Sequence, residues 1–346
     1  MRVREWDPDA APAAEIESVV ASLNEALDTD LPADPHWQGV GVREYLSETM
    51  PGERRICWLA DAADASDTAD TADMPVTGHA NLLVLGDIGV VELLVHPSAR
   101  QRGVGRTLML EVARRAHAEG LDSLGVEVVG GTPAMKFWEA VGFRCAYVEM
   151  RSVLDFSAVD WPAMEALAAS VPAGYRVECH RGMLPAEQLE PYAAAKAVRR
   201  EVELPDLALR PSSYDAQRLA ASLDTLNRRG MKPYLVMAVH EVSGEVAALT
   251  EVVTPVQHPS RADQYDTTVV PEHQGLGLDR AIKARMLLEL RAAEPRLTEV
   301  QTWNALENDP MARVNADLGF RPDREWREYE ADVPELLDRL SPPTST

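Results

Sequence analysis

Cysteine and long apolar segments are both scarce in this sequence. It holds only three cysteines, Cys57, Cys145 and Cys179, at spacings that fit neither a disulfide framework nor a zinc cluster. No segment approaches the ~18 uncharged apolar residues of a membrane span. The start, MRVREWDPDAAP, lacks the apolar core of a signal peptide. These absences predict a protein of the reducing cytoplasm whose thiols are packed or inert.

Basic residues are also few, because 34 Lys and Arg stand against 56 Asp and Glu and give a formal net charge of −22. Such a charge repels phosphate backbones and raises the local concentration of cations. We therefore expect no nucleic-acid partner and a small cationic ligand, and the lack of a long apolar segment predicts no membrane partner. Plain solubility is the alternative explanation of the acidic composition.

Patterns typical of metal sites are missing as well. None of the eight histidines stands in an HExxH spacing, and no Cys/His cluster occurs. The segment Asp61–Asp73 carries Asp at every third position and no basic residue, so we expect a solvated hairpin loop. Calcium binding is the alternative there, although the glycine-turned spacing of an EF-hand is absent. We expect no metal cofactor.

The order of predicted elements occurs twice along the chain. Each half is predicted to be an α/β unit, a mixed β-sheet flanked by helices. We expect an N-terminal domain at residues 1–157, a linker at 158–174 and a C-terminal domain at 175–346. The register supports a duplication, since Pro271 follows Pro97 by 174 residues and Gly277 follows Gly103 by the same 174.

The most informative segment is the turn RQRGVG, Arg100–Gly105, which follows a predicted strand and opens a predicted helix. The unpaired amides of a helix N-terminus, at the positive end of the helix dipole, bind anions such as phosphate. Gly103 and Gly105 remove the Cβ atoms that would keep a phosphate at a distance. Arg100, Arg102 and Arg106 add positive charge in an acidic protein. The turn is therefore predicted to bind a diphosphate.

The strand, the motif V-x-P-x-x-(R/Q)-x-x-G-x-(G/A), the helix and a later helix ending in Gly142-Phe143 resemble the GNAT superfamily of N-acyltransferases. The NALEND segment and the Gly319-Phe320 ending resemble the second member of tandem GNAT proteins. The resemblance spans nearly the whole chain and implies acetyl-CoA as cosubstrate. It assigns the diphosphate to residues 100–106 and the pantetheine to the strand before them. The implied cofactor residues are Leu93, Leu94, Val95, Arg100, Gln101, Arg102, Gly103, Val104, Gly105, Arg106 and Trp138.

Acetyl transfer requires a neutral amine, whereas a free alkyl amine has a pKa near ~10, so a base must take its proton. Glu92 is the first candidate, on the strand that family members open around the thioester, and Glu127 on the next strand is the second. Either carboxylate can instead hold a cationic substrate. The resemblance also implies that the amide of Leu94 or Val95 stabilises the developing oxyanion.

One position departs from the family pattern. A tyrosine five residues before the final Phe usually protonates the leaving thiolate, and here that position is Trp138. An indole N–H donates a hydrogen bond but does not give up its proton. We expect Tyr147 or Tyr45 to act instead, unless the thiol, with a pKa near ~8.5, leaves unassisted.

The second copy of the turn, QGLGLD at Gln274–Asp279, ends in Asp279 where the motif has its last glycine. A carboxylate there satisfies the helix amides and repels a diphosphate, so it is predicted to be a helix cap. Asn315 stands at the tyrosine position, and Asp266 aligns with Glu92. We expect the N-terminal domain to bind acyl-CoA and the C-terminal domain to be structural or to shape the substrate site.

These observations predict an N-acetyltransferase that moves acetyl from acetyl-CoA to a primary amine of a small cationic molecule by direct attack in a ternary complex. Polyamines, aminoglycosides and basic-peptide antibiotics are the acceptor classes that the charge favours. A mycothiol-synthase-like enzyme is one alternative, although in that family the C-terminal half is the catalytic one. A non-catalytic acyl-CoA sensor is the other alternative, because Trp138 and Asn315 replace tyrosine.

Overall fold

The structure, a computed structural model, describes residues 1–62, 76–198, 215–306 and 310–341. The acidic loop predicted at Asp61–Asp73 lies, from residue 63 onward, outside these ranges. In the described part the strands are β1 (Arg2–Trp6), β2 (Glu53–Asp61), β3 (Val76–Leu85), β4 (Ile88–Val95), β5 (Ser123–Val129), β6 (Arg144–Asp155), β7 (Tyr175–Arg181), β8 (Met231–His240), β9 (Val246–Pro255), β10 (Arg261–Val269), β11 (Glu299–Ala305) and β12 (Arg321–Asp332). The helices are α1 (Ala13–Asp30), α2 (Gly39–Ser47), α3 (Val104–Ala118), α4 (Pro133–Val141), α5 (Trp161–Ala168), α6 (Ala186–Val198), α7 (Ala216–Arg228), α8 (Leu278–Ala293), α9 (Pro310–Asp317) and α10 (Val333–Leu340).

The chain divides into two compact units. As far as these ranges are described, the first unit consists of Met1–Tyr147 and Trp326–Thr346, and the second of Val148–Pro205 and Arg210–Glu325. Each unit contains a mixed sheet with helices on both faces. The α/β class predicted from the sequence is confirmed.

In the first unit the strands follow the order β1-β2-β3-β4-β5-β12. Only β4 and β5 run parallel; the other neighbours are antiparallel. Helix α3 buries Val104, Leu108 and Val112, spaced four residues apart as on one helical face, against this sheet. Helices α4 and α10 pack into the same core, whereas α1 and α2 cover the opposite face around Cys57 and Leu59.

In the second unit the order is β7-β8-β9-β10-β11-β6, and here β10 and β11 form the parallel pair. Helix α8 occupies the place of α3 and buries Leu278, Ile282 and Leu290. Helices α6 and α7 pack against β9 and β8. The two units therefore repeat one arrangement, as the duplicated register predicts.

The closing strand of each sheet differs from the expected chain order. The last strand of the chain, β12, pairs with β5 of the first unit from Trp326 to Asp332. Strand β6, which follows the N-terminal motif, pairs with β11 of the second unit from Glu149 to Asp155. The two halves have thus exchanged their closing strands, and α10 follows β12 into the first unit's core. Pattern and propensity do not distinguish these two strands, because strand pairing is non-local.

The expected linker at 158–174 also has a defined structure. It contains α5, whose Met164 is 3% exposed and lies in the core of the second unit. Asp160 accepts from the amide of Ala163 at 3.1 Å and caps this helix. The proline- and alanine-rich composition of the segment therefore belongs to a packed helix, and the boundaries at 157 and 175 do not coincide with the compact units.

None of the helices in the described ranges combines the length and apolar character that crossing a bilayer requires. In the same ranges no group of three or more His, Cys, Asp or Glu side chains is arranged to hold a metal ion.

Candidate functional site

The central feature of the first unit is the point where β4 and β5 separate. They pair in parallel from Ile88 to Val90 with Ser123 to Gly125, and the pairing ends there. Beyond Val90, β4 continues on its own beside β3 as far as Val95. This separation leaves one edge of β4 without a neighbouring strand and creates a cleft.

The backbone of β4 offers hydrogen-bond donors to this cleft. The amide of His96 donates to the carbonyl of Thr77 at 3.0 Å, directly after the β3–β4 ladder. Successive amides along an antiparallel strand point to opposite sides, so the amide of Leu94 faces β3. The amides of Leu93 and Val95 face the side where β5 has departed. Of the two amides predicted to hold an oxyanion, the geometry favours that of Val95.

The turn after β4 leads into α3 as the sequence predicts. A short 3-10 turn at Pro97–Ala99 is followed by Gln101 with φ +59° and by Gly103 with φ +85°. Gly103 is the N-cap of α3, which begins at Val104. Within the described chain the amides of residues 101–106 have no backbone hydrogen bond. They are therefore free to bind an anion at the positive end of the helix.

Gly105 fulfils a steric requirement in this turn. A Cβ atom at this position would lie 3.1 Å from the ring of Phe137 on α4 and 3.5 Å from the side chain of Val95. Any larger residue would push against the aromatic ring that borders the turn. The glycine therefore permits the close approach of α3, α4 and the end of β4.

The three arginines of the turn have different roles in the structure. Arg100 donates to both carboxylate oxygens of Asp30, at 2.9 and 2.6 Å. Arg106 donates to the carbonyls of Arg339 and Leu340 at the end of α10, at 2.8 and 3.3 Å.

Arg102 is exposed and has no ion pair with any described residue. That all three arginines offer charge to a phosphate stays a prediction, to which the structure adds the partners that two of them already have. The first two charges are already neutralised or used to cap a helix, and Arg102 is left available.

Glu92 lies on β4 within the region that has no β5 neighbour. The hydroxyl of Tyr45 on α2 donates to Glu92 Oε1, and Asn81 Nδ2 on β3 donates to Glu92 Oε2 at 2.8 Å. Among the described residues no Lys, Arg or His lies within ion-pair distance of this carboxylate. Two neutral donors therefore orient an exposed carboxylate whose charge no described residue neutralises.

Glu127 shares the face of the sheet that carries Glu92. Val90 pairs with Gly125, and alternate residues share a face, so Glu92 and Glu127 both lie two residues beyond this pair on the same side. Water reaches the Glu127 side chain, but the walls of the cleft displace much of its hydration. This desolvation, and secondarily the negative charge of Glu92, raise the pKa of Glu127.

The strand that closes the first unit adds a further carboxylate. Glu328 on β12 is directly opposite Glu127 on β5. A cavity of about 160 Å³ lies beside them, lined by Ile88–Val90, Ser123–Glu127 and Glu328–Glu330. Sequence reasoning missed Glu328, because nothing local indicates that a residue near the C-terminus lies in the N-terminal unit.

His79, which the sequence does not single out, lies buried on the same face as Asn81. Its ring meets Trp6 edge-on with centroids 5.8 Å apart. Burial, partly offset by the charge of Glu92, lowers the pKa of His79 to about 4. The imidazole is therefore neutral near pH 7.

Trp138 is 4% exposed and packs edge-on against Phe137 and Phe143, with ring centroids 5.2 and 4.8 Å apart. It is part of the hydrophobic core, and its burial argues against the predicted contact with a cofactor. Tyr147 is half-buried on β6, where the N-terminal segment of the first unit ends. The tyrosine hydroxyl that contacts Glu92 is that of Tyr45.

The second unit repeats the turn with different chemistry. Gly277 is the N-cap of α8, and Asp279 accepts from the amide of Arg280 at 2.8 Å. The carboxylate thus lies in the first turn of α8 and binds the amide of the next residue, whereas the N-cap position is that of Gly277, which has no side chain to cap the helix. Asn315 is 2% exposed and donates to Asn304 at 2.7 Å.

Comparisons with known proteins agree with this geometry. Residues 25–143 match the model of the acetyltransferase (GNAT) family. No curated protein matches the chain.

Among solved structures, a tandem GNAT protein from the clavulanic acid biosynthesis pathway is 24% identical, with 96% of this chain and 98% of that one covered and a TM-score of 0.79. A GCN5-related N-acetyltransferase from Sphaerobacter thermophilus is 14% identical, with 96% and 95% covered and a TM-score of 0.63. A glucosamine N-acetyltransferase region of a fungal multi-domain β-N-acetylglucosaminidase is 16% identical, with 95% and 38% covered and a TM-score of 0.63. These likenesses establish the fold.

Proposed function

We propose that this chain, which carries a GNAT acetyltransferase domain within the fold of a tandem GNAT protein, transfers acetyl from acetyl-CoA to the primary amine of a small cationic acceptor. The transfer is by direct attack in a ternary complex in the first unit, and the setting is the cytoplasm. The observation that carries the proposal is the cleft between β4 and β5. It joins the unengaged amides of residues 101–106 to a strand that presents Glu92.

The residues around the turn fit the phosphates of a coenzyme A. The amides of residues 101–106 supply hydrogen-bond donors, and Arg102 supplies an available positive charge. The absence of a side chain at Gly105 keeps the turn compact. Acetyl-CoA supplies the thioester that donates the acetyl group. The backbone from Leu93 to Val95 lines the cleft, where the amide of Val95 is the candidate donor to the thioester oxygen.

The acceptor amine is protonated near neutral pH and must lose a proton before attack. In the proposed reaction the new N–C bond forms as the C–S bond breaks, and Glu92 accepts the ammonium proton directly or through water. Glu127, with its raised pKa, is the second candidate base and also attracts the cationic acceptor. The candidate donors of a proton to the leaving thiolate are Tyr147, as predicted from the sequence, and Tyr45, which contacts Glu92.

Calorimetry with acetyl-CoA tests the cofactor part of the proposal. We expect one site per chain, which the double substitution Gly103→Glu with Gly105→Asp abolishes. The matched substitution in the second unit is Gly277→Glu, because Asp279 already stands at the position of Gly105, and it is expected to leave that binding unchanged. Two sites per chain, or binding that survives the double substitution, would overturn the assignment to the first unit.

A thiol-release assay tests the reaction and the acceptor class. Free coenzyme A is measured with a thiol reagent after acetyl-CoA is mixed with polyamines, aminoglycosides, basic peptides or cysteinyl sugars. Release with one of the first three classes supports the proposal. Release with cysteinyl sugars alone indicates a mycothiol-synthase-like enzyme, and tight binding of coenzyme A with no release from any amine indicates a sensor.

A further inference from the structure

A buried lysine in the second unit lies between two carboxylates. Lys196 on α6 is 8% exposed. Its Nζ lies 2.5 Å from Oε2 of Glu251 on β9 and 3.0 Å from Oδ2 of Asp266 on β10. The hydroxyl of Tyr192 donates to the other oxygen of Glu251 at 3.0 Å. An ammonium group is thus held by two acids, one of which is also oriented by a tyrosine.

These two acids occupy the positions of Glu92 and Asn81 in the first unit. Asp266 follows Glu92 by 174 residues, the offset that relates the two turns. In the first unit Asn81 on β3 is directly opposite Glu92. In the second unit the register between β9 and β10 shifts after Gln264, which leaves Glu251 opposite Tyr265 and Asp266. The Lys196 ammonium therefore marks a defined place relative to the strands of this fold.

Among the residues that the structure describes, no ammonium group of the first unit occupies that place. Helices α1 and α6 begin at Ala13 and Ala186, and the same offset of 173 aligns Lys196 with Leu23. Leu23 is an aliphatic residue of α1 that packs against the hydrophobic core covered by this helix. No cationic side chain of the described residues is within ion-pair distance of Glu92. The second unit neutralises this charge internally, whereas in the described part of the first unit no cation neutralises it.

Asn81 contributes an unused acceptor beside Glu92. A carboxylate only accepts hydrogen bonds, so the amide must present its NH₂ to Glu92. Its Oδ1 is buried and has no hydrogen-bond partner in the described chain, and the residue is 1% exposed. A buried acceptor without a donor is costly, and an ammonium group with three N–H donors would satisfy it together with Glu92.

We infer that the second unit retains an ammonium-binding site which its own Lys196 fills, and that the corresponding place in the first unit, between Glu92 and Asn81, receives the primary ammonium of the acceptor. The first half of this inference is independent of acetyl transfer, and the second half rests on the proposed function. A primary alkylammonium is the ligand class, because the group held in the second unit is one. The second unit is closed to an external amine as long as Lys196 is present.

Chemical rescue tests the site in the second unit. Lys196→Ala leaves two acids without their counter-ion, so we expect a lower Tm in thermal unfolding. Ethylammonium chloride should recover part of the lost Tm, because its head group and short chain replace what was removed. Tetramethylammonium, which has no N–H donor, should not. Wild-type protein and Lys196→Met, whose side chain fills the space, are the controls and should not respond to ethylammonium.

Two outcomes would overturn the site in the second unit. One is an equal response of wild type and Lys196→Ala to ethylammonium, and the other is a folded Lys196→Ala protein that does not respond. If this variant is unfolded without additive, its folded fraction after refolding is measured by circular dichroism. Refolding in ethylammonium but not in tetramethylammonium supports the inference, and failure in both contradicts it.

The site in the first unit is tested without acetyl-CoA, so that a failure of transfer activity does not affect the result. Asn81→Asp recreates the pair of acids found around Lys196. Binding of 1,4-diaminobutane, followed by calorimetry, should become at least about fivefold tighter, because the ammonium then meets two carboxylates. Asn81→Leu removes the acceptor and should weaken it. Unchanged binding in both variants would overturn the ammonium site between Glu92 and Asn81. The site around Lys196 and the acetyl transfer are tested separately, by the rescue experiment and by thiol release.

Discussion

The amide Nδ2 of Asn81 lies 2.8 Å from Oε2 of Glu92, across the antiparallel pair β3–β4. The two residues are directly opposite each other, and the contact fixes one carboxylate oxygen toward the sheet. The hydroxyl of Tyr45 engages the other oxygen from α2. A carboxylate held in this way on the open edge of β4 is placed to accept a proton from a bound amine.

Glu92→Gln is expected to lower kcat by about 10²-fold to 10⁴-fold, the usual contribution of a positioned general base. The glutamine keeps the size of the side chain, but its amide is uncharged and does not accept a proton near neutral pH. Steady-state thiol release with an amine accepted by wild type measures the effect. Glu127→Gln is the matched control and should raise KM more than it lowers kcat; a larger loss of kcat in Glu127→Gln than in Glu92→Gln would reverse the two roles.

Glu127→Gln is also expected to change the pH dependence of stability. The raised pKa of Glu127 means that the folded state binds this proton more tightly than the unfolded state does. Wild type therefore loses stability as pH rises from the ordinary Glu pKa through the raised one. The variant should be more stable than wild type at pH 7, by less than about 1 kcal/mol because water screens the exposed side chain. Urea unfolding at pH 7 and at pH 4 measures this, and an advantage that persists at pH 4 would contradict it.

Gly105→Asp introduces into the first unit the acidic residue that stands in the first turn of α8 in the second. The carboxylate should bind the amides at the start of α3 and repel the diphosphate, so acetyl-CoA affinity should fall about tenfold or more, equivalent to about 1.4 kcal/mol. Gly105→Ala adds a Cβ atom beside Phe137 but no charge, so it should weaken acetyl-CoA binding less than Gly105→Asp does. Asp279→Gly should leave the affinity unchanged. Calorimetry at constant ionic strength gives all three values, and an effect of Asp279→Gly equal to that of Gly105→Asp would argue against the assignment.

Arg102→Gln and Arg100→Gln are expected to differ in what they change. Arg102 is the available cation of the turn, so its loss should weaken acetyl-CoA binding by up to about fivefold at low ionic strength, with a smaller difference in high salt. Arg100 holds Asp30 through two hydrogen bonds. Arg100→Gln should therefore lower Tm more than Arg102→Gln does, and should weaken acetyl-CoA binding less. Calorimetry gives the affinity of both variants for acetyl-CoA, and thermal unfolding gives their Tm. Equal losses of affinity would indicate that Arg100 also binds the phosphates.

Leu336→Ala tests the exchange of closing strands and the helix that follows. Leu336 on α10 is 2% exposed and lies in the core of the first unit. Its truncation should cost about 2–5 kcal/mol of unfolding free energy and should weaken acetyl-CoA binding at temperatures where the first unit begins to unfold. Leu306→Ala, at a leucine that is 48% exposed, is the control. Equal stability of the two variants would argue against the packing of α10 in this core.

Much of the site was predictable from local sequence. The strand, the turn at Arg100–Gly105 and the helix after it follow from the proline, the glycines and the apolar spacing of α3. The placement of the Asp279 carboxylate in the first turn of α8 also follows, because the side chain and the amide it binds are neighbours in sequence. Asn81 was within reach of the same reasoning, since a two-residue turn at Gly86 and Asp87 fixes its register opposite Glu92.

Charge partners were not predictable in this way. The sequence presents Arg100, Arg102 and Arg106 as equivalent cations, whereas the fold brings Asp30 to one and the end of α10 to another. The burial of Trp138 between Phe137 and Phe143 is likewise a property of packing. Side chains distant in sequence meet only when helices and strands assemble, so their partners cannot be inferred from spacing.

Three features follow from the sequence: the α/β class, the duplication with its 174-residue register, and the glycine-containing turn that only the first copy keeps intact. Each depends on residues a few positions apart or on a repeat visible in the letters. Two features depend on the folded chain: β12 closes the first sheet and brings Glu328 opposite Glu127, and Lys196 lies between Glu251 and Asp266. Strand pairing and buried ion pairs join segments far apart in the chain, and their geometry is fixed by the packing of the whole unit.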